Sequence, residues 1–367
     1  MRVINVVGAR PNLIKIAPLV EEMRRAPEIE TSLLHTGQHY DENLSQIFFD
    51  ELGIPKPDVF LGAGSGTHAE QTARIMLAFE PVLRERQPDL VMVVGDVNST
   101  LACTLTAVKM HIPVAHVEAG LRSFDRTMPE EVNRVVTDAL AEWLFTTEPA
   151  ATENLLAEGR PRDSIHFVGN VMIDTLLRHR EQALQVPVLE QFNVAPREYA
   201  LVTLHRPRNV DHAPKLAAIV EALGRVRKQL AVIFPVHPRT RQRLREFGLL
   251  GRATELLGTG LCEPLGYLEF LHLMARARVV LTDSGGIQEE TTILGAPCLT
   301  LRPTTERPIT ADVGTNRIIG SAPERIVPEI ERILAGDAPR GEVPELWDGK
   351  AAGRIVAVLR EGVGAGI

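Results

Sequence analysis

Short runs of β-branched and aliphatic residues alternate with longer helix-patterned stretches along almost the whole chain, and this alternation leaves few folds open. Residues 2–7, 31–35, 90–95, 113–118 and 143–146 read as strands with helical stretches between them. A second series follows at 199–203, 231–235, 278–282 and 297–301. Strands separated by helices are the signature of βαβ units around a parallel sheet. Runs with no polar break, such as Leu90-Val91-Met92-Val93-Val94, suit strands covered by helices on both faces. The expected fold is α/β, with two Rossmann-like doubly wound domains facing a cleft. Residues 180–198, with Pro187 and Pro196, read as the linker. The expected domains are 1–185 and 186–345, with a last helix at roughly 346–362 and a frayed, glycine-rich end at 367.

Composition sets outer limits. A chain of 367 residues can bury two cores, and 44% hydrophobic with 24% charged residues is an ordinary globular balance. The formal charge of −7 opposes a nucleic acid as the main partner, because phosphate binding at scale needs a basic surface. Cys103, Cys262 and Cys298 lie far apart, with no spacing for a zinc site or disulfide framework. The short apolar run at the N-terminus leaves no room for a signal peptide, and no stretch approaches the roughly 20 apolar residues of a membrane span. The expected location is the cytoplasm, with no membrane partner.

The strongest local signal is Val279-Val280-Leu281-Thr282-Asp283-Ser284-Gly285-Gly286, followed by helical Ile287-Gln288-Glu289-Glu290. A strand that turns through Ser-Gly-Gly straight into a helix offers backbone N–H groups and the positive helix end to a phosphate. The alternative is a tight turn with Ser284 as a helix cap. Glu290, one turn into that helix, is placed to reach a ribose hydroxyl. Gly8-Ala9-Arg10-Pro11-Asn12 ends the first strand and leads to Lys15, so Arg10 and Lys15 can bring positive charge to a pyrophosphate. This turn lacks both the dinucleotide-binding and the P-loop glycine patterns.

Three carboxylates sit at comparable edges of the first sheet. Asp96 follows one strand, Glu118 closes another, and Glu130 opens the next helix after Pro129. Acids gathered at strand ends can converge on one substrate for general acid and base work. Singly, each has a plainer reading as a helix cap or helix-start acid. His205 and His237 end strands of the second series, and His205 can contact phosphate. A metal site from His35, His39, His116, His205 and His237 has no dependable ligand spacing.

Taken in chain order, these segments resemble the non-hydrolysing UDP-N-acetylglucosamine 2-epimerase family. The matching segments are Gly8-Ala9-Arg10-Pro11 with Lys15, Thr36-Gly37-Gln38-His39, Val94-Gly95-Asp96, His116-Val117-Glu118-Ala119-Gly120-Leu121-Arg122, Pro129-Glu130-Glu131-Val132-Asn133-Arg134, Val202-Thr203-Leu204-His205-Arg206, Thr282 through Glu290, and Thr304-Thr305-Glu306-Arg307-Pro308. The resemblance implies the glycosyltransferase-B architecture, usually as a homodimer. It implies that Arg10, Lys15, His205, Ser284, Gly285, Gly286, Glu290 and Arg307 hold UDP, with Phe270 as a candidate against uracil. Asp96, Glu118 and Glu130 would be the catalytic acids, alongside His205. The implied reaction removes the C2 proton of UDP-N-acetylglucosamine and expels UDP, leaving 2-acetamidoglucal, then restores UDP with the proton on the other face. It needs no cofactor and no metal.

Related readings stay open. An epimerase of a UDP-diacetamido-uronic acid would share the chemistry but differ at C3 and C6, and a hydrolysing epimerase would release free sugar. A UDP-sugar glycosyltransferase would share the nucleotide site without needing three clustered acids. A non-catalytic nucleotide-sugar sensor would not need them either.

Overall fold

The structure is a computed structural model that describes residues 1–38 and 51–364, excepting the side chains of Arg10, Val363 and Gly364. His39, Tyr40 and Asp41 lie outside the described residues. The chain divides into two compact units, residues 1–178 with 345–367, and residues 179–344. Each is built on a fully parallel sheet.

Among the described residues of the first unit the sheet has seven strands in the order β3-β2-β1-β4-β5-β6-β7. The strands are β1 (Arg2–Val7), β2 (Glu30–His35), β3 (Val59–Phe60), β4 (Leu90–Val94), β5 (Val114–Ala119), β6 (Trp143–Thr146) and β7 (Ile165–Phe167). All of β4 and β5 is buried, as continuous apolar runs covered on both faces require. Ile4, Val6, Val91, Val93 and Val114 pack with Ile75, Phe79 and Leu83 of the helix His68–Arg86 to make the core on one side. That helix starts in a capping box: Thr67 Oγ1 accepts from the Glu70 N–H at 3.2 Å, and Glu70 Oε2 accepts from the Thr67 N–H at 3.0 Å.

The second unit repeats the winding with six strands in the order β10-β9-β8-β11-β12-β13. These are β8 (Tyr199–Thr203), β9 (Ala231–Pro235), β10 (Leu261–Cys262), β11 (Val279–Thr282), β12 (Cys298–Thr300) and β13 (Asn316–Ile318). Val202, Phe234, Leu281 and Leu299 meet Ile219, Leu223 and Ile330 in its core. In both sheets the order reverses direction beside the first strand, between β1 and β4 and between β8 and β11. Open parallel sheets carry ligands at such switch points, beyond the carboxyl ends of the strands.

The nine strands expected from the sequence are present within one or two residues. The four others, β3, β7, β10 and β13, are the outer strands of the two sheets and only two or three residues long. Residues 180–198, read as linker, contain the end of the helix Val171–Ala183 and the short helix Val188–Phe192. The last helix runs Ala351–Gly364 and belongs with the first unit. There the Trp347 Nε1–H donates to Thr147 O at 2.8 Å, and the Ala351 and Ala352 N–H groups donate to the Asp174 carboxylate at 3.1 and 2.7 Å. Among the described residues no helix is long and apolar enough to cross a membrane.

Candidate active site

At the first switch point, Asn12 ties the ends of the two central strands together. Its Oδ1 accepts from the Gly8 and Ala9 N–H groups at 3.3 and 3.1 Å, and its Nδ2 donates to Val94 O at 3.0 Å. One turn on, the Lys15 ammonium meets the Glu118 carboxylate in an ion pair with side chains 7% and 5% exposed. Glu118 is the extra residue of a bulge: Val117 pairs with Phe145 of β6 and Ala119 with Thr146, leaving Glu118 without a register partner. Its φ is +73°, a conformation that costs a non-glycine residue roughly 1–3 kcal/mol and tends to be kept where function needs it.

Gly95 makes the approach possible. A Cβ there would stand 3.0 Å from Lys15 Nζ and 3.5 Å from Glu118 Oε2, at a φ of +70°. The residue after it is Asp96, whose Oδ2 accepts from Arg134 Nη1 at 2.5 Å. The N-cap position of the following helix, Asn98–Lys109, is Val97 rather than Asp96. Glu130 stands half-buried in the first turn of the helix Pro129–Leu140, the helix that also carries Arg134. Lys15, Glu118, Asp96 and Glu130 thus all belong to the carboxyl edge of the first sheet. The described part of residue 10 is its backbone, at the start of the helix Arg10–Arg25, so the Arg10 side chain lies outside the description.

Beneath these acids lies a buried scaffold that the sequence reading did not single out. His116 Nδ1 faces Asp138 Oδ1 at 2.6 Å and its Nε2 faces Gly95 O at 2.8 Å, fixing the loop that presents Asp96. Arg122 pairs with Asp138 at 2.7 Å and with Glu158 at 2.7 Å. Burial works against the Asp138 charge, but His116, Arg122 and the Gly120 N–H together hold its carboxyl below the usual range. Glu131, in the same helix, is held low against burial by the Ser123 N–H and Arg134. Glu131, Arg134 and Asp138 fall at i, i+3 and i+7, one face of one helix, and that spacing was the available signal.

At the second switch point the buried Asp283 plays the tying role. It accepts from the His205 and Arg206 N–H groups at 3.0 Å each and from Asn209 Nδ2 at 2.9 Å, joining the end of β8 to the end of β11. The His205 ring stacks on His237, with centroids 5.0 Å apart. Ser284 occupies the position before the helix Gly285–Leu294 but makes no side-chain cap bond, so the plain capping alternative does not describe its hydroxyl.

Behind this turn runs a buried charge ladder. Arg302 meets Glu306 at 2.6 Å, Glu306 meets Arg307 at 2.7 Å, and Arg307 meets Glu289 at 2.7 Å. The guanidinium of Arg307 lies against Gly285, where a Cβ would stand 2.3 Å from its Nη1. Arg307 therefore reaches the Ser-Gly-Gly turn from below with carboxylates already beside it. Farther along the same helix, burial pushes the Glu290 carboxyl up to about 8, and the Tyr267 hydroxyl donates to its Oε1 at 3.2 Å. Phe270 is half-buried in the helix that starts with Tyr267. His205, Ser284, Gly285, Gly286, Glu290, Phe270 and Arg307 all belong to the second unit. Among the described residues no three His, Cys, Asp or Glu side chains form a group able to hold a metal ion.

Residues 21–360 match the family model for UDP-N-acetylglucosamine 2-epimerase. The UDP-N-acetylglucosamine 2-epimerase of Methanocaldococcus jannaschii is 43% identical, covering 99% of this chain and 100% of that protein. The UDP-2,3-diacetamido-2,3-dideoxy-D-glucuronate 2-epimerase of Pseudomonas aeruginosa is 39% identical over 98% of this chain and 99% of its own. A crystal structure of the M. jannaschii enzyme in complex with UDP-GlcNAc and UDP matches with a TM-score of 0.92 over 98% of this chain and 100% of that one. With its two doubly wound parallel sheets and a match over nearly its full length, this chain belongs to the UDP-N-acetylglucosamine 2-epimerase family.

Proposed function

We propose that the chain interconverts UDP-N-acetylglucosamine and UDP-N-acetylmannosamine by inverting C2 without net hydrolysis. A carboxylate of the first unit takes the C2 proton, the electrons of that C–H bond form the C1–C2 double bond, and the C1–O pair leaves with UDP. The resulting 2-acetamidoglucal then takes UDP back at C1 through the β-phosphate oxygen, while a proton enters C2 from the opposite face. Asp96, Glu118 and Glu130 supply and receive these protons.

The observation that carries this reading is Glu118, a carboxylate held in a strained bulge against Lys15 beside the loop of Asp96. A structural ion pair would not need that backbone. Lys15 and Arg10 oppose the charge that grows on the departing diphosphate, and His205 with the N–H groups at Ser284, Gly285 and Gly286 receives it. Arg307 adds charge from beneath the turn. Glu290 takes the ribose hydroxyls and Phe270 the uracil. The UDP-GlcNAc and UDP in the M. jannaschii complex support this ligand class.

The P. aeruginosa relative supports a second reading, in which the same C2 chemistry acts on a UDP-diacetamido-uronic acid. The proposal also takes in a homodimer, a cytoplasmic setting and the supply of N-acetylmannosamine units to polysaccharide assembly, the first of which sedimentation at micromolar concentration tests. Single variants test the acids: Asp96→Asn, Glu118→Gln and Glu130→Gln should each cut turnover severely while UDP still binds. Wild-type turnover in any of them removes that residue from the reaction.

A further inference from the structure

We propose that Glu131 is a positioning residue for Asp96, acting through Arg134; this rests on the reading of Asp96 as one of the catalytic acids. Glu131 follows Glu130 in sequence but turns inward and is 2% exposed. Its Oε2 accepts from the Ser123 N–H at 2.9 Å and the Ser123 hydroxyl at 3.0 Å, and its Oε1 accepts from the Phe124 N–H at 2.9 Å. The same carboxylate accepts from Arg134 Nε at 3.1 Å and Nη2 at 2.6 Å. The remaining arm of that guanidinium, Nη1, is the one that donates to Asp96.

The geometry explains why one carboxylate can aim another. A guanidinium is planar, so pinning the Nε and Nη2 edge fixes the plane and with it the direction of Nη1. Glu131 is itself pinned by two successive backbone N–H groups, and the loop bends to supply them: Phe124 adopts a φ of +56° while the residue is 77% exposed. Asn133 completes the hold by donating from Nδ2 to Asp96 O at 2.8 Å. One helical turn thereby grips both the side chain and the main chain of Asp96, which keeps 24% of its side chain exposed for a substrate. A lysine at 134 could not do this, since a single ammonium offers no rigid edge.

The test is a double-mutant cycle read by turnover of UDP-N-acetylglucosamine in deuterated water at high enzyme concentration, with UDP affinity and melting temperature alongside. Glu131→Gln should lower kcat by roughly 10²-fold, the scale on which small misplacements of a reacting group act. KM and UDP affinity should stay near wild type, because the nucleotide contacts are untouched. In an Asp96→Asn background the Glu131→Gln change should add nothing, whereas independent structural damage would multiply. Should Glu131→Gln fail to fold, Ser123→Ala, which removes the hydroxyl's bonds to Glu131, Arg134 Nη2 and the Asp125 N–H but leaves the Glu131–Arg134 pair, should show a smaller kcat loss of the same kind. Multiplying effects, or wild-type kcat in a folded Glu131→Gln protein, would overturn the proposal. Wild-type turnover by Asp96→Asn alone would instead sink the catalytic reading of Asp96, and the two failures are distinct.

Discussion

Lys15 and Glu118 stand 103 residues apart in the chain and meet as an ion pair between the first helix and the bulge of β5. Leaving one partner of a buried pair alone costs about 3–5 kcal/mol. Lys15→Met is therefore expected to lower the melting temperature of the first unit and abolish turnover together, which thermal unfolding and a progress curve would register. An unchanged melting temperature would mean that the pair is not formed in solution.

Gly285 is expected to tolerate no side chain. A Cβ there would stand 2.3 Å from Arg307 Nη1 and 2.8 Å from Glu306 Oε1, and both neighbours are buried and paired. Gly285→Ala should push the turn away from Arg307 and weaken UDP binding at least tenfold, about 1.4 kcal/mol, by calorimetry. Retained affinity would argue that UDP does not use this turn.

Glu290 gives a pH dependence with a definite sign. Its carboxyl is raised by burial from 4.5 to about 8, so the folded state binds a proton that the unfolded chain has released. Its contribution to stability is complete below about pH 4.5 and is lost as the pH rises through about 8, at most about 1.4 kcal/mol per pH unit in that window. Glu290→Gln, which keeps the uncharged shape, should remove this slope and become progressively more stable relative to wild type between about pH 4.5 and about 8. Parallel denaturation curves for the two proteins at every pH would contradict it.

The C-terminal helix depends on Asp174. The two N–H groups at its start, Ala351 and Ala352, donate to that one carboxylate, and loss of such a cap costs about 0.5–2 kcal/mol. Asp174→Ala should lower the unfolding free energy from urea titration by that amount and speed amide exchange at residues 351 and 352. Protection equal to wild type would place the anchor elsewhere, in Trp347.

Much of this molecule is legible in the sequence, and the parts that are not share a cause. The central strands announce themselves because burial on both faces demands unbroken apolar runs, as in Leu90–Val94 and Val279–Thr282. Val59–Phe60, Ile165–Phe167, Leu261–Cys262 and Asn316–Ile318 are outer strands, paired on one side only and too short to set up a period. The polar residues at the strand ends were readable as motifs, but their partners were not. Nothing near Glu118 in the sequence points to Lys15, and nothing near Asp283 points to Asn209. The left-handed bulge at Glu118 is likewise invisible in a sequence where glutamate is an ordinary strand-end residue. Where the last helix docks is decided by Asp174 and Thr147, roughly 180 to 200 residues earlier.

The most direct measurement of the central claim is proton NMR of the purified protein with UDP-N-acetylglucosamine in deuterated water. Chemistry at C2 through a glucal predicts that UDP-N-acetylmannosamine appears, that deuterium enters C2 of both sugars, and that free UDP does not accumulate. Epimerisation with the C2 proton retained, or net release of N-acetylmannosamine and UDP, would contradict the account.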